Sequence, residues 1–365
     1  MTDNPEQYIH HPQPQAQPPL PPYYEAPQPG VIPLRPLDVG AMITGSFRAM
    51  FRNWQPAILL PFVASLISVA TFMVPMFVLF SNLADLSSGG RPNPDKVLAL
   101  LGSFLLAYLL GIVLTVAAGL VTSTVVTVVV SRAVLGRTTT IGQALRKAAP
   151  RMLPLFGLTL LVGLIVFACL LVPSGLMVVL AIATQKAGLA LLGILLLLAG
   201  GVVATYLWIS YVMATPALIL EPAPVLTAMR RSRWLVAGNW WRVFGILLLV
   251  YLMGGIVNYL AQLPVSFSQF AQFPSMMANA RAGVQPNPGA MLESVFSPTV
   301  IVLSVVLSAA AAAITQPFTI GVSTLLYHDL RIRKESFHLP LWEMSQLPDD
   351  LAVSPQPTGH PEATM

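Results

Sequence analysis

No charged residue occurs between Val97 and Ser131. This run constrains the fold more than any other feature, because as a helix it would measure about 50 Å at 1.5 Å per residue. A bilayer's hydrocarbon core is roughly 30 Å thick. Four further stretches, Met152–Gln185, Ala187–Leu220, Val243–Ala280 and Val300–Tyr327, also lack Asp, Glu, Lys and Arg. Over the 365 residues, charged side chains make up only 9% against 55% hydrophobic, whereas a water-soluble domain carries about 25%. So few charges cannot hydrate a water-facing surface, so lipid must be the main solvent. Backbone groups in lipid have to bond internally, and long apolar runs do so as helices. The expected fold is therefore all-α: a polytopic helical membrane protein with six spans near 55–80, 97–131, 153–184, 187–221, 241–264 and 298–330.

The ends read differently. Residues 1–36 are rich in Pro and Gln (PQPQAQPPLPPYYEAPQPG), a composition that buries no core and favours extended or disordered chain. This tail and a second one at 342–365 bracket a membrane domain at 37–341. Either tail, or the C-terminal segment TLLYHDLRIRKESFHLPL, offers a surface for a protein partner. The first apolar run starts behind the polar tail, so the first span is expected to act as its own uncleaved insertion signal. Cys169, the single cysteine, lies inside an apolar run, which leaves no intrachain disulfide and no thiolate cluster.

Charge placement sets the expected orientation. In a six-span arrangement Arg91, Lys96, Lys186 and Arg281 fall on one side, and the remaining Lys and Arg of the total of 19 fall on the other. The positive-inside rule then puts both termini in the cytoplasm of a bacterial cell, with the protein in the plasma membrane. Topology also accounts for the basic balance, so nucleic acid is not expected as a partner.

The basic residues cluster in segments that precede the odd-numbered spans. These are LDVGAMITGSFRAMFRNWQPAILL, TIGQALRKAAPRMLPLFGLTLL and VLTAMRRSRWLVAGNWWRVFGILL. Aligning the first with the third pairs Val39 with Val225, Ser46 with Ser232, Asn53 with Asn239 and Trp54 with Trp240. The second is shorter and shares only its apolar-Gly start. We read a threefold repeat of an amphipathic interfacial helix (near 38–54, 140–151 and 223–238) followed by a transmembrane hairpin. Asp38 is placed to cap the first of these helices. Such helices would set Arg48, Arg52, Trp54, Arg146, Lys147, Arg230, Arg231, Arg233, Trp240 and Trp241 against anionic headgroups or a partner, joined by Arg331 and Arg333 at the end of the sixth span.

The sequence carries no zinc, P-loop, nucleophile-elbow or dinucleotide motif, and no catalytic residue, metal or cofactor is expected. Nor does a titratable group lie deep in any span, which disfavours proton-coupled transport. The polar groups expected at depth are Thr315 and Gln316 beside Pro317, with Thr122 and Thr127 on the second span as candidate partners. They read either as interhelical glue at a kink or as an intramembrane polar site.

The motifs GVIPLRPLDVG, FRNW, LEPAPVLTAMRRSRWLVAGNWWRVFGI and TLLYHDLRIRKE together resemble the glycerophosphoryl diester phosphodiesterase membrane domain family over 30–341. The resemblance is strongest to stand-alone bacterial versions with proline-rich tails. It implies a membrane domain without the separate catalytic barrel of the fused members, so no catalytic residue carries over. Two functions are expected on these grounds. One is a non-enzymatic protein that organises anionic lipid or partner proteins through its basic face. The other is a permease or lipid translocator using a polar pocket around Gln316.

Overall fold

A computed structural model describes residues 27–88, 94–221, 223–271, 273–282 and 297–347. Most of the proline-rich tail, the C-terminal tail beyond 347 and Arg91 lie outside these residues.

The described chain is helical throughout and contains no strand. Helix α1 (Val39–Arg52) leads through a short π-helical turn (Gln55–Leu59) into α2 (Leu60–Ser88). Then come α3 (Pro94–Val134), α4 (Ile141–Thr184), α5 (Ala187–Tyr211), α6 (Ala214–Leu220), α7 (Val225–Val236), α8 (Trp240–Phe270) and α9 (Phe273–Arg281). The last two are α10 (Pro298–Glu335) and α11 (His338–Gln346). Six stretches are long and apolar enough to cross a membrane, with α5 and α6 together making the fourth. The protein is an all-α, multi-pass membrane protein.

The spans pack as hairpins, α2 with α3, α4 with α5 and α8 with α10, and α10 also touches α1, α2, α3, α6 and α7. On α4 the side chains Leu153, Leu160, Leu164, Val172 and Val179 are each at least 60% exposed. An apolar stripe of that length is at rest only against acyl chains. The packed core sits toward the basic end of the bundle. On α3, Thr122 and Thr124–Val130 are buried while Leu98, Leu105 and Leu106 are open, and on α10 burial concentrates between Ala309 and Ile332.

Several expected boundaries shift. The ordered chain starts well before residue 37, for Val31, Ile32, Leu34 and Leu37 are all core residues. Val31 N–H bonds the carbonyl of Ala133 at 3.1 Å. Gly30 is required there, since a Cβ would stand 2.1 Å from that same carbonyl oxygen. Its neighbour Gly136 has φ +79, the left-handed region where a side chain is strained. At the other end α11 runs past the expected boundary at 341, with Leu341 and Met344 buried.

Two of the three expected interfacial helices are separate elements, α1 and α7. Asp38 caps α1, accepting from Ala41 N–H at 2.6 Å. The second is not separate: 141–151 is the first part of α4, which continues through Pro150 and Pro154 to Thr184. The corners after α1 and α7 are made by Asn53 and by the Gly238 turn (φ +81) with Asn239. The second segment has neither signal, so nothing turns the chain.

One of the long spans is broken. α10 runs through Pro317, and α3 is unbroken. The fourth span breaks at Val212–Met213, which puts Pro216 in the first turn of α6, where its missing N–H costs nothing. Gly200 serves close packing: a Cβ there would meet the Cys169 carbonyl at 2.8 Å.

Candidate functional site

At the basic end, Glu221 closes α6, Arg231 lies on α7, and α10 supplies Tyr327, Arg331 and Glu335. The Glu221, Arg231, Arg331 and Glu335 side chains are only 1–3% exposed. Arg231 pairs with Glu221 at 2.5 Å and with Glu335 at 2.8 Å. Arg331 bonds Glu335 at 2.9 Å and lies 3.6 Å from Glu221. The Tyr327 hydroxyl donates to Glu221. Two guanidinium and two carboxylate groups cancel, which is the condition for holding charge in a dry site. Burial works against the charge on Arg231, but Glu221, Tyr327 and Glu335 outweigh it and raise the pKa above its ordinary value. Phe337 lies flat under Arg331, 3.5 Å from ring centroid to guanidinium carbon, a cation–π contact on the remaining face.

A second ionic knot holds the N-terminal segment. Asp329, fully buried, accepts from Leu37 N–H at 2.7 Å, from Arg242 at 3.1 Å and from Arg333 at 2.9 Å. Both arginines also donate to the Leu37 carbonyl, at 2.7 and 3.2 Å. One carboxylate and two guanidiniums thus bind both backbone groups of a single residue, clamping the entry to α1.

These contacts divide the arginines expected at headgroups. Arg231 and Arg331 are 2% exposed and committed to carboxylates, so they are internal ion-pair members and not surface contacts. Arg333 is spent on Asp329 and Leu37. Arg52, though exposed, donates to the Gly136 carbonyl at 2.6 Å. Arg48, Arg146, Lys147, Arg230 and Arg233 are exposed. Of the indoles, Trp54 and Trp241 are 53% and 77% exposed. Trp240 is half-buried and stacks on Phe244 and Tyr206.

Farther along the bundle lies a chamber of two lobes. The first, about 370 Å³, lies between α3, α4, α5, α6, α8 and α10 and is lined by hydroxyls that include Thr127, Thr159, Thr215 and Ser323. The second, about 510 Å³, is lined by Thr122, Asn258, Thr315 and Gln316 among others. Ser123, Tyr251, Thr319 and Ile320 line both. Each lobe is within the range of small-molecule sites, roughly 300–1,000 Å³. Trp208 and Tyr251 on the wall are 37% and 47% exposed, so the chamber opens sideways onto the apolar flank. Gln316 lies fifteen residues before Arg331, about 22 Å at helical rise, which puts the chamber deep in the span.

The four residues expected at depth converge here, but as lining and not as mutual partners. Thr315 donates to the Ala311 carbonyl and accepts from Asn258 at 3.3 Å. Thr122 has a buried hydroxyl with no hydrogen-bond partner, at 1% exposure. Gln316 is exposed toward the cavity and makes no hydrogen bond among the described residues. Thr127, likewise 1% exposed, belongs to the first lobe. Among the described residues neither lobe has a carboxylate, a basic group or a thiol in its lining, and no group of three His, Cys, Asp or Glu could hold a metal ion.

Sequence reasoning missed Glu221 and Glu335, the internal role of Asp329 as the acceptor for Leu37, Arg242 and Arg333, and the contribution of Asn258 and Tyr251 to the chamber. The carboxylates did leave a trace: Asp329 with Arg333 and Arg331 with Glu335 are spaced i,i+4, the helical ion-pair interval. The chamber left none, because its wall is assembled from six elements.

No curated protein and no solved structure matches the chain. A family match does cover residues 37–330, and it does not bear on the resemblance to the phosphodiesterase membrane domain. Since that match spans most of the sequence, the chain belongs to the family described as Domain of unknown function (DUF7847).

Proposed function

We propose that the protein is a non-enzymatic lipid-handling protein of a bacterial cell membrane, a permease or translocator that takes an amphiphile into the chamber. The carrying observation is a two-lobed cavity, lined by hydroxyls and two amides, in spans that are otherwise largely apolar. Burying a hydroxyl such as that of Thr122 without a partner is costly, and interhelical glue would have closed the gap. A bound molecule with polar atoms repays that cost. The side opening toward lipid fits an amphiphile better than a water-soluble solute, and the lining offers neutral donors and acceptors that bind without trapping charge.

A second reading has its own support. The exposed Arg48, Arg146, Lys147, Arg230 and Arg233 gather at one end of the bundle, and each such residue attracts anionic lipid by about 1 kcal/mol near a charged surface. The basic face is therefore read as the cytoplasmic one, holding anionic lipid against the mouth of the bundle.

The translocator reading is tested in reconstituted vesicles containing a fluorescent phospholipid. Wild-type protein is expected to speed its movement between leaflets, and Thr319→Trp, at the junction of the lobes, to slow that movement several-fold without loss of thermal stability. Equal rates with and without protein, together with no lipid retained on purification, would end the translocator reading.

A further inference from the structure

A second cavity, of about 380 Å³, lies at the basic end between α3, α4, α6, α10 and α11. Arg132, Arg137, Lys147, Arg151, His328 and Arg331 line it, and among the described residues no Asp or Glu does. One member of this wall points to a ligand more specifically than a positive charge does. His328 is 4% exposed, and neither ring nitrogen has a hydrogen-bond partner. Its ring stacks on Phe337 (6.2 Å, 8°), whose face also carries the Arg331 guanidinium. A buried imidazole with two idle nitrogens is costly unless something in the cavity bonds to it.

The cavity is in register with the chamber. On α3, Val128 and Ser131 line it where Ser123 and Thr127 line the chamber; on α10, His328 and Arg331 follow Thr319 and Ser323. α4 and α6 also wall both, with Arg151 against Thr159 and Ile219 against Thr215. Along α10, Ser323 and Arg331 are eight residues, about 12 Å, apart. One molecule with an anionic head and an apolar body could occupy both.

We propose that the basic cavity is a phosphate site, and that the phosphate is carried by an anionic phospholipid whose acyl portion reaches the hydroxyl-lined chamber. Arg151 and His328 contact the phosphate oxygens. Arg331, held by Glu335 and Glu221 on its far side, presents its guanidinium to the head from a fixed position. The lipid half of this proposal rests on the lipid-handling reading above.

The test uses the full chain purified into phosphatidylcholine nanodiscs with a minor share of phosphatidylglycerol, reading retained lipid by native mass spectrometry. Wild-type protein is expected to enrich phosphatidylglycerol. Arg151→Gln and His328→Gln are each expected to weaken that preference about tenfold, the worth of one charge-assisted contact, and Lys186→Gln, exposed at the opposite end of the bundle, to leave it unchanged. Arg151 is half-buried at the rim, so the test survives if His328→Gln does not fold. Parallel arms add inorganic phosphate or glycerol phosphate as competitors, and neither is expected to displace the lipid at millimolar concentration. If lipid is retained with no preference, or the preference is the same in Arg151→Gln, the phosphate site is wrong while lipid handling stands. If soluble phosphate binds in an Arg151-dependent way and no lipid is retained, the lipid half is wrong, and the lipid-handling reading falls with it.

Discussion

Removing either side of the buried Glu221–Arg231–Arg331–Glu335 quartet leaves a charge in a dry site. Breaking such a pair typically costs about 3–5 kcal/mol, and replacing the whole pair by apolar residues is often neutral. Arg231→Met is therefore expected to lower the thermal stability of the detergent-solubilised protein severely, since Glu221 and Glu335 then share only Arg331. Arg231→Met with Glu221→Leu should recover much of the loss, because Arg331 and Glu335 remain paired. Thermal unfolding of the two variants side by side decides it: a double variant no better than the single one would mean that the quartet acts through packing and not through charge. Such residues were only half legible beforehand. Arg231 and Arg331 look in sequence like the other basic residues near the span ends, and each also depends on a carboxylate far off in the chain, Arg231 on Glu335 and Arg331 on Glu221, which no local pattern reports.

The interfacial helices show how far pattern alone reaches. Pairing Ser46 with Ser232 in the sequence finds a structural echo: both are fully buried, and each donates to a carbonyl of a spanning helix, Ser46 to Phe318 at 3.2 Å and Ser232 to Ser210 at 2.7 Å. The hydroxyl fastens α1 to α10 and α7 to α5 in the same manner. Where the pattern weakened, the structure departed from it. The segment at 140–151 lacks the serine and the Asn-Trp corner, and it runs straight into α4. Its start is nevertheless well defined, with Thr140 and Gln143 forming a capping box. Ser46→Ala and Ser232→Ala are each expected to cost about 1 kcal/mol, the net worth of one hydrogen bond. Because α1 and α7 are far apart in the chain and share neither partner, the two losses should add. Thermal denaturation of both single variants and the double variant measures this, and strong non-additivity would show that the elbows are coupled through α10.

At the scale of the whole molecule, the six spans and their helical nature were readable because lipid leaves the chain so few choices. The chamber was not, because each helix contributes only one to a few neutral residues that resemble ordinary span residues. Topology lies between these cases. Leu37 is bound to Asp329 at one end of α10, and Arg137 donates to the carbonyls of Met344 and Leu347 at the end of α11. Both described chain ends therefore meet the basic end of the bundle, as an even number of spans demands. On the orientation proposed above, that end faces the cytoplasm, because moving a basic segment through the membrane is strongly disfavoured. In a Cys169→Ser background, Gln346→Cys and Ala282→Cys report the two ends, and both positions are exposed. A membrane-impermeant maleimide should label residue 282 in intact spheroplasts and residue 346 only after lysis. The reverse pattern would turn the protein over and place the basic cavity at the outer leaflet. It would then have to draw anionic lipid from the wrong side of the membrane, and both the orientation and the inner-leaflet part of the lipid proposal would have to be abandoned.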